Sequence, residues 1–146
     1  MSYLLLKFAH LTAAALFIGG VFFEVMILSR ATRELPEEAR AGFSRALGRR
    51  ARQVMHWVIL TLYAAGLGLA WHYRAALQAP LASSFGILLS LKITLALSIL
   101  GHFLLMVFLM RSGRMTAARS RRIHLSVLLQ MLAIVFLAKA MFLVSL

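Results

Sequence analysis

The chain has 146 residues, 62% of them hydrophobic, and a mean hydropathy of +0.90, which excludes an ordinary soluble globular domain and is typical of a membrane protein. The formal net charge is +12, but the basic residues lie between apolar runs rather than on one polar domain, which argues against nucleic-acid binding. The chain contains no cysteine, so disulfides, thiolate metal sites and thiol redox chemistry are excluded.

Four long apolar runs predict four membrane-spanning helices. A helix rises about 1.5 Å per residue, so about 20 residues cross a bilayer core that is roughly 30 Å thick. The predicted spans are residues 3–28, 53–73, 85–110 and 123–146. Pro36 followed by two acids indicates a helix start, so we expect the basic segment 29–52 to contain a helix that runs into the second span. The sequence therefore predicts an all-α protein with one transmembrane domain, residues 1–146.

The distribution of arginine predicts the topology. Twelve of the sixteen Lys and Arg residues lie in the connecting segments 29–52 and 111–122, whereas the connection between the second and third spans carries one. Basic connections are retained in the cytoplasm, which places both termini on the outer, periplasmic side of a bacterial inner membrane. Four antiparallel spans with short connections favour an up-and-down four-helix bundle.

Three polar side chains lie at the same predicted depth on the outer side. His10, Lys92 and Lys139 are each seven residues from the outer end of their span, about 10 Å into the apolar layer. An unpaired lysine at such a depth costs at least about 2.5 kcal/mol, so we expect these groups to converge inside the bundle. The alternative is that His10 bonds a neighbouring hydroxyl and Lys139 extends outward, so that only Lys92 is buried.

Three further histidines form a looser level towards the inner side. His102 lies eight residues from the inner end of its span, whereas His56 and His124 lie close to the span ends, beside arginines. The three histidines lie at different depths in their spans. Two interpretations remain open: they bind a second cofactor, or they are simply interfacial residues. His10 and His102, the two deep histidines, are the candidate metal ligands.

Imidazoles and cations inside a four-helix bundle suit haem. Neutral histidine ligates haem iron, and nearby ammonium groups can neutralise the propionates. The first hypothesis is a b-type haem protein in electron transfer, with one haem or two. In it His10 is a ligand, Lys92 and Lys139 lie near propionates or an anionic substrate, and a quinone or a periplasmic protein is the redox partner.

Two alternatives stay open. A copper-handling membrane protein would use His and Met side chains along the bundle. A cofactor-free assembly subunit, monomeric or homodimeric, would use its basic segments to bind anionic lipid or another subunit. The sequence shows no nucleophile or pair of carboxylates that would indicate a catalytic site. It therefore does not distinguish an enzyme from an electron carrier.

Two motifs carry a family resemblance. The pattern LLLKFAHLTAAALFIGGVFF in the first span and FGILLSLKITLAL in the third resemble the CopD copper-resistance membrane domain and are similar to the HemJ group of haem-binding protoporphyrinogen oxidases. The resemblance implies a four-helix membrane fold that handles copper or haem. Lys7 and His10 match the Lys-x-x-His of the first helix, and Lys92 followed by His102 matches the third.

Two motifs of the HemJ group are missing. That group has Asn-Pro early in its second helix and Asn-Glu-x-Pro in its fourth, where this chain has Met55-His56-Trp57 and Ile123-His124-Leu125-Ser126. The resemblance therefore implies His10 as a haem ligand and Lys92 as a buried functional cation, and it does not extend to protoporphyrinogen oxidase activity. A haem-dependent membrane oxidoreductase is the enzyme class that it leaves open.

Overall fold

The protein is helical throughout the part of the chain that the structure describes. This computed structural model describes residues 2–144, apart from the side chains of Phe142 and Val144. No strand occurs in this range, so the all-α prediction is confirmed. Four helical segments are long and apolar enough to cross a membrane: Tyr3–Ala31, Glu37–His72, Ser84–Arg111 and Ala117–Met141.

The first helix, α1, spans Tyr3–Phe23 and continues as a π-helical turn, Glu24–Leu28, and a last short turn, Ser29–Ala31. The second, α2, spans Glu37–His72. Its 36 residues correspond to a length of about 54 Å. From Glu37 onward, the basic segment and the second predicted span therefore form one continuous helix, as the sequence predicted.

The connection to the second half of the chain contains a short helix, α3, over Arg74–Gln78, and a 3-10 turn, Pro80–Ala82. Helix α4 then spans Ser84–Arg111 and α5 spans Ala117–Val144. Helix α5 begins six residues before the predicted fourth span. The reason is local, because the Thr116 hydroxyl accepts a hydrogen bond from the Arg119 amide at 3.2 Å and so caps the helix start within the basic segment.

The chain divides into two compact units, the first ending at His72 and the second beginning at Tyr73. In the first unit α1 and α2 pack as an antiparallel hairpin. Ala13, Phe17 and Val21 are buried at four-residue spacing on α1. On α2 the buried residues are Val58, Ile59 and Ala65. Burial four positions apart on α1, and six and seven positions apart on α2, places one apolar face of each helix against the other.

Arg40 holds the connection between α1 and α2. Its Nε donates to the Thr32 carbonyl at 3.0 Å, and its Nη2 donates to the carbonyls of Arg33 at 2.8 Å and Leu35 at 2.9 Å. Carbonyls at a helix end have no partner within the helix, so a guanidinium that reaches back stabilises the turn.

The second unit is also a hairpin, formed by α4 and α5. Leu89 and Ile99 are buried on α4. The buried α5 residues recur at helical spacing and are Ile123, Val127, Leu128, Met131 and Met141. Its connection is held as in the first hairpin, because Arg119 Nη1 donates to the Arg114 carbonyl at 2.7 Å.

The outward faces of both hairpins are apolar. Leu4 is 73% exposed, Leu67 71% and Phe136 72%. No charged side chain falls in the buried class within residues 2–144. Large exposed aliphatic and aromatic surfaces of this kind are what a lipid environment covers, which is consistent with a multi-pass membrane protein.

Candidate functional site

His10 lies in the interface of the first hairpin and is held by the backbone of α2. Its Nδ1 is 3.1 Å from the Leu62 carbonyl oxygen, and the side chain is half-buried. A carbonyl oxygen only accepts hydrogen bonds, so Nδ1 carries the proton in this contact. In the neutral imidazole Nε2 then carries the lone pair, which is the nitrogen that could ligate a metal.

Gly66 makes the space that the imidazole occupies. A Cβ atom at this position would lie 3.2 Å from His10 Cε1 and 3.4 Å from Nδ1. Gly66 follows Leu62 by one helical turn, so the residue that leaves room for the ring and the carbonyl that orients it lie on the same face of α2. Sequence reasoning missed both, although Gly66 and Gly68 in an apolar run were a usable signal for close helix packing.

Lys92 is half-buried in the second hairpin, where its ammonium group donates a hydrogen bond to a sulfur atom. Lys92 Nζ lies 3.7 Å from Met141 Sδ, and this is its only hydrogen-bond partner among the described residues. A thioether is a weak acceptor, whereas an ammonium group has three donors. Lys92 is therefore a half-buried cation without an oxygen partner in its hairpin.

The other members of the outer level are placed differently. Lys139 is exposed on α5, and Lys7 is exposed on α1 with its Nζ 5.9 Å from the centroid of the Tyr3 ring. His10 belongs to the first hairpin, and Lys92 and Lys139 to the second. Because these residues belong to different hairpins, their convergence stays a prediction.

His102 takes part in a chain of hydrogen bonds between α4 and α5. Its Nδ1 lies 2.8 Å from the Ser98 carbonyl, and its Nε2 lies 3.2 Å from the Ser126 hydroxyl, which in turn accepts from Gln130 Nε2 at 3.1 Å. Gln130 Oε1 is buried without a partner in the described residues. The Nδ1 bond makes Nε2 the acceptor for the Ser126 hydroxyl, so metal ligation by His102 would require that hydroxyl to turn away.

His56 and His124 are the remaining histidines of the inner level. His56 is exposed on α2, whereas His124 is half-buried and has its Nδ1 2.9 Å from the Ser120 carbonyl and 3.3 Å from the Ser120 hydroxyl. Within residues 2–144, no three His, Cys, Asp or Glu side chains are grouped so that they could hold a metal ion. This finding counts against a site for a metal ion alone. It does not test haem binding, because axial ligation of haem needs only one or two protein ligands.

The chain matches no protein-family model, no curated protein and no solved structure. The resemblance to the CopD domain and to the HemJ group therefore rests on the two short motifs around His10 and Lys92.

Proposed function

We propose that this protein is a multi-pass membrane protein that binds b-type haem through His10 Nε2 and transfers electrons. One observation carries the proposal, namely the hydrogen bond between His10 Nδ1 and the Leu62 carbonyl at 3.1 Å. Histidines that ligate metals usually donate their other ring N–H to a carbonyl or a carboxylate. This bond sets the tautomer, orients the ring and makes the ligating nitrogen more basic.

The surroundings of His10 fit an axial ligand. The ring is half-buried beside Gly66, on an interface whose neighbouring core residues include Ala13 and Ala65. Small residues lie near the ring, and the apolar helix faces suit a macrocycle. A bound haem would supply one-electron redox chemistry.

Lys92 supports the proposal as a cation for a carboxylate. Its ammonium group has a thioether partner at 3.7 Å, and a carboxylate oxygen would be a much stronger acceptor. We assign Lys92, with Lys139 as the second cation, to a haem propionate or to an anionic substrate. The electron donor and acceptor would be a quinone in the bilayer and a protein on the outer side of a bacterial inner membrane.

An absorption spectrum of the purified protein before and after dithionite tests the proposal. We expect the reduced bands of haem b, and we expect His10→Ala to lose most of the bound haem. His72→Ala is the matched control, because it removes an exposed imidazole from the same hairpin and should leave haem content unchanged. Circular dichroism of both variants checks that the helices are retained.

Haem content that is unchanged in His10→Ala would refute the ligand assignment. A colourless wild-type protein that binds Cu(I) stoichiometrically would refute the haem proposal and favour the copper-handling alternative.

A further inference from the structure

The N-terminal part of α2 carries a stripe of arginines beyond the apolar part of the helix. The helix is about 54 Å long, compared with roughly 30 Å for a bilayer core, so its first turns extend past the span. Arg45, Arg49 and Arg52 recur there at positions four and three residues apart. This spacing places the three guanidinium groups on one face of the helix.

The three arginines line a shallow groove together with Gly42 and Ser44. Gly48 shapes this groove, because a Cβ atom at this position would lie 3.3 Å from Arg52 Nη1. The Arg52 guanidinium therefore lies back along the helix over Gly48, towards Arg45 and Arg49. The glycine allows a close approach that any larger side chain would hinder.

The groove arginines have no acidic partner among the residues that the structure describes. Arg45 Nε donates to the Ala41 carbonyl of its own helix at 3.2 Å, and neither Arg49 nor Arg52 forms a hydrogen bond or an ion pair with any residue in the range 2–144. Arg40, by contrast, donates to three carbonyls of the connection and has a structural role. The groove thus concentrates positive charge that the described residues leave uncompensated.

Trp57 places the Arg52 end of the groove near the level of the lipid headgroups. Trp57 is 69% exposed and lines a neighbouring hollow with Arg50, Gln53 and Val54. Exposed tryptophans on membrane helices prefer the boundary between headgroups and acyl chains. Trp57 follows Arg52 by five residues, or about 7.5 Å along the helix, and follows Arg45 by twelve, or about 18 Å. The Arg52 end of the groove therefore lies on the headgroup side of that boundary, and the Arg45 end lies farther from the bilayer core.

We propose that this groove binds the phosphate of an anionic phospholipid headgroup in the adjacent leaflet. Guanidinium groups bind phosphate oxygens through paired N–H donors, and three of them on one face can surround a single phosphodiester. General attraction to an anionic surface would act on every exposed arginine alike. The groove differs from such attraction because its three arginines line one hollow and Gly48 lets the Arg52 guanidinium lie back along the helix.

The test is native mass spectrometry of the full chain released from nanodiscs of phosphatidylcholine and phosphatidylglycerol. We compare the triple variant Arg45→Gln, Arg49→Gln, Arg52→Gln with Arg114→Gln, Arg121→Gln, Arg122→Gln, which removes the same charge from the other basic segment. Relative to the wild-type protein, the amount of retained phosphatidylglycerol should fall at least about tenfold in the groove variant and about twofold or less in the control. Equal losses in the two variants would overturn the proposal.

A second comparison keeps the net charge constant. Gly48→Leu places a side chain where the Arg52 guanidinium lies, and Ala46→Leu adds an apolar side chain at an exposed position outside the stripe. Lipid retention should fall in Gly48→Leu alone, and equal retention in both variants would contradict the assigned geometry. Displacement of the lipid by millimolar inorganic phosphate would assign the groove to a soluble anion and overturn the lipid assignment. None of these readouts depends on haem.

Discussion

The orientation of His10 depends on two groups of α2 that are far away in the chain. The Leu62 carbonyl accepts from Nδ1 at 3.1 Å, and Gly66 lies against the edge of the ring. The carbonyl sets which nitrogen carries the proton, and the glycine sets how closely the ring approaches α2. If His10 ligates haem as proposed, a change at Gly66 should therefore alter ligation at Nε2 without removing the ligand.

We predict that Gly66→Ala weakens haem binding by about tenfold, in the range usual for groups that orient a metal ligand. The added methyl group would lie 3.2 Å from His10 Cε1, so the ring must give way by a few tenths of an ångström, which disturbs the orientation set by its bond to the Leu62 carbonyl. Titration of the purified apoprotein with haem measures the effect. Gly19→Ala is the control, because nothing lies within 4 Å of a Cβ at that position. Equal affinities in the two variants would contradict this role of Gly66.

At the scale of elements, the start of α4 is a closely packed helix terminus in the second hairpin. The Ser83 hydroxyl accepts from the Gly86 amide at 3.0 Å and caps the helix. Gly86 is buried, and a Cβ there would lie 2.7 Å from the Pro80 carbonyl oxygen and 3.2 Å from that of Ala76. These neighbours are backbone atoms, so they cannot give way as a flexible side chain would.

We predict that Gly86→Ala lowers the free energy of unfolding by about 1 to 3 kcal/mol, the usual cost of overpacking. The physical reason is that the 3-10 turn over Pro80–Ala82 must move away from α4. Thermal or denaturant unfolding in detergent, followed by circular dichroism, measures the change.

Gly101→Ala serves as the matched control for Gly86→Ala, because it lies in the same helix with open space at its Cβ position. It should leave stability unchanged or raise it by about 1 kcal/mol, since alanine favours the helix more than glycine does. A similar loss of stability in both variants would show that the packing around Gly86 is not responsible.

At the scale of the whole molecule, four apolar helical segments and two arginine-rich connections define the expected topology. The connections between α1 and α2 and between α4 and α5 are the basic ones, and the connection through α3 carries a single arginine. Positive charge opposes translocation, so the two basic connections should lie in the cytoplasm. The lack of cysteine makes this expectation easy to test.

We predict that single cysteines at Ala46 and Ala118 are protected from a membrane-impermeant thiol reagent in intact cells, whereas a cysteine at Ala79 is labelled. All three positions are exposed, and each lies in or beside one connection between long helices. Permeabilised cells provide the control, because all three variants should then react. Labelling of the cysteines at positions 46 and 118, but not of the one at position 79, in intact cells would indicate the opposite topology.

The sequence by itself determined the helical class, the four apolar segments and the continuity of the basic segment with α2. These features are local, because helix formation and hydropathy depend on residues that are neighbours in the chain. The early start of α5 and the short helix α3 escaped prediction, since capping by a single hydroxyl is a weak signal in a polar connection.

Only the tertiary structure decided which atoms meet the polar side chains. The bond from His10 to the Leu62 carbonyl joins residues 52 apart, and a backbone carbonyl has no sequence signature. The sulfur contact of Lys92 and the chain from His102 through Ser126 to Gln130 likewise depend on how two helices pack. Residue types and their spacing indicate which groups need partners, and the packing of one helix on another selects those partners.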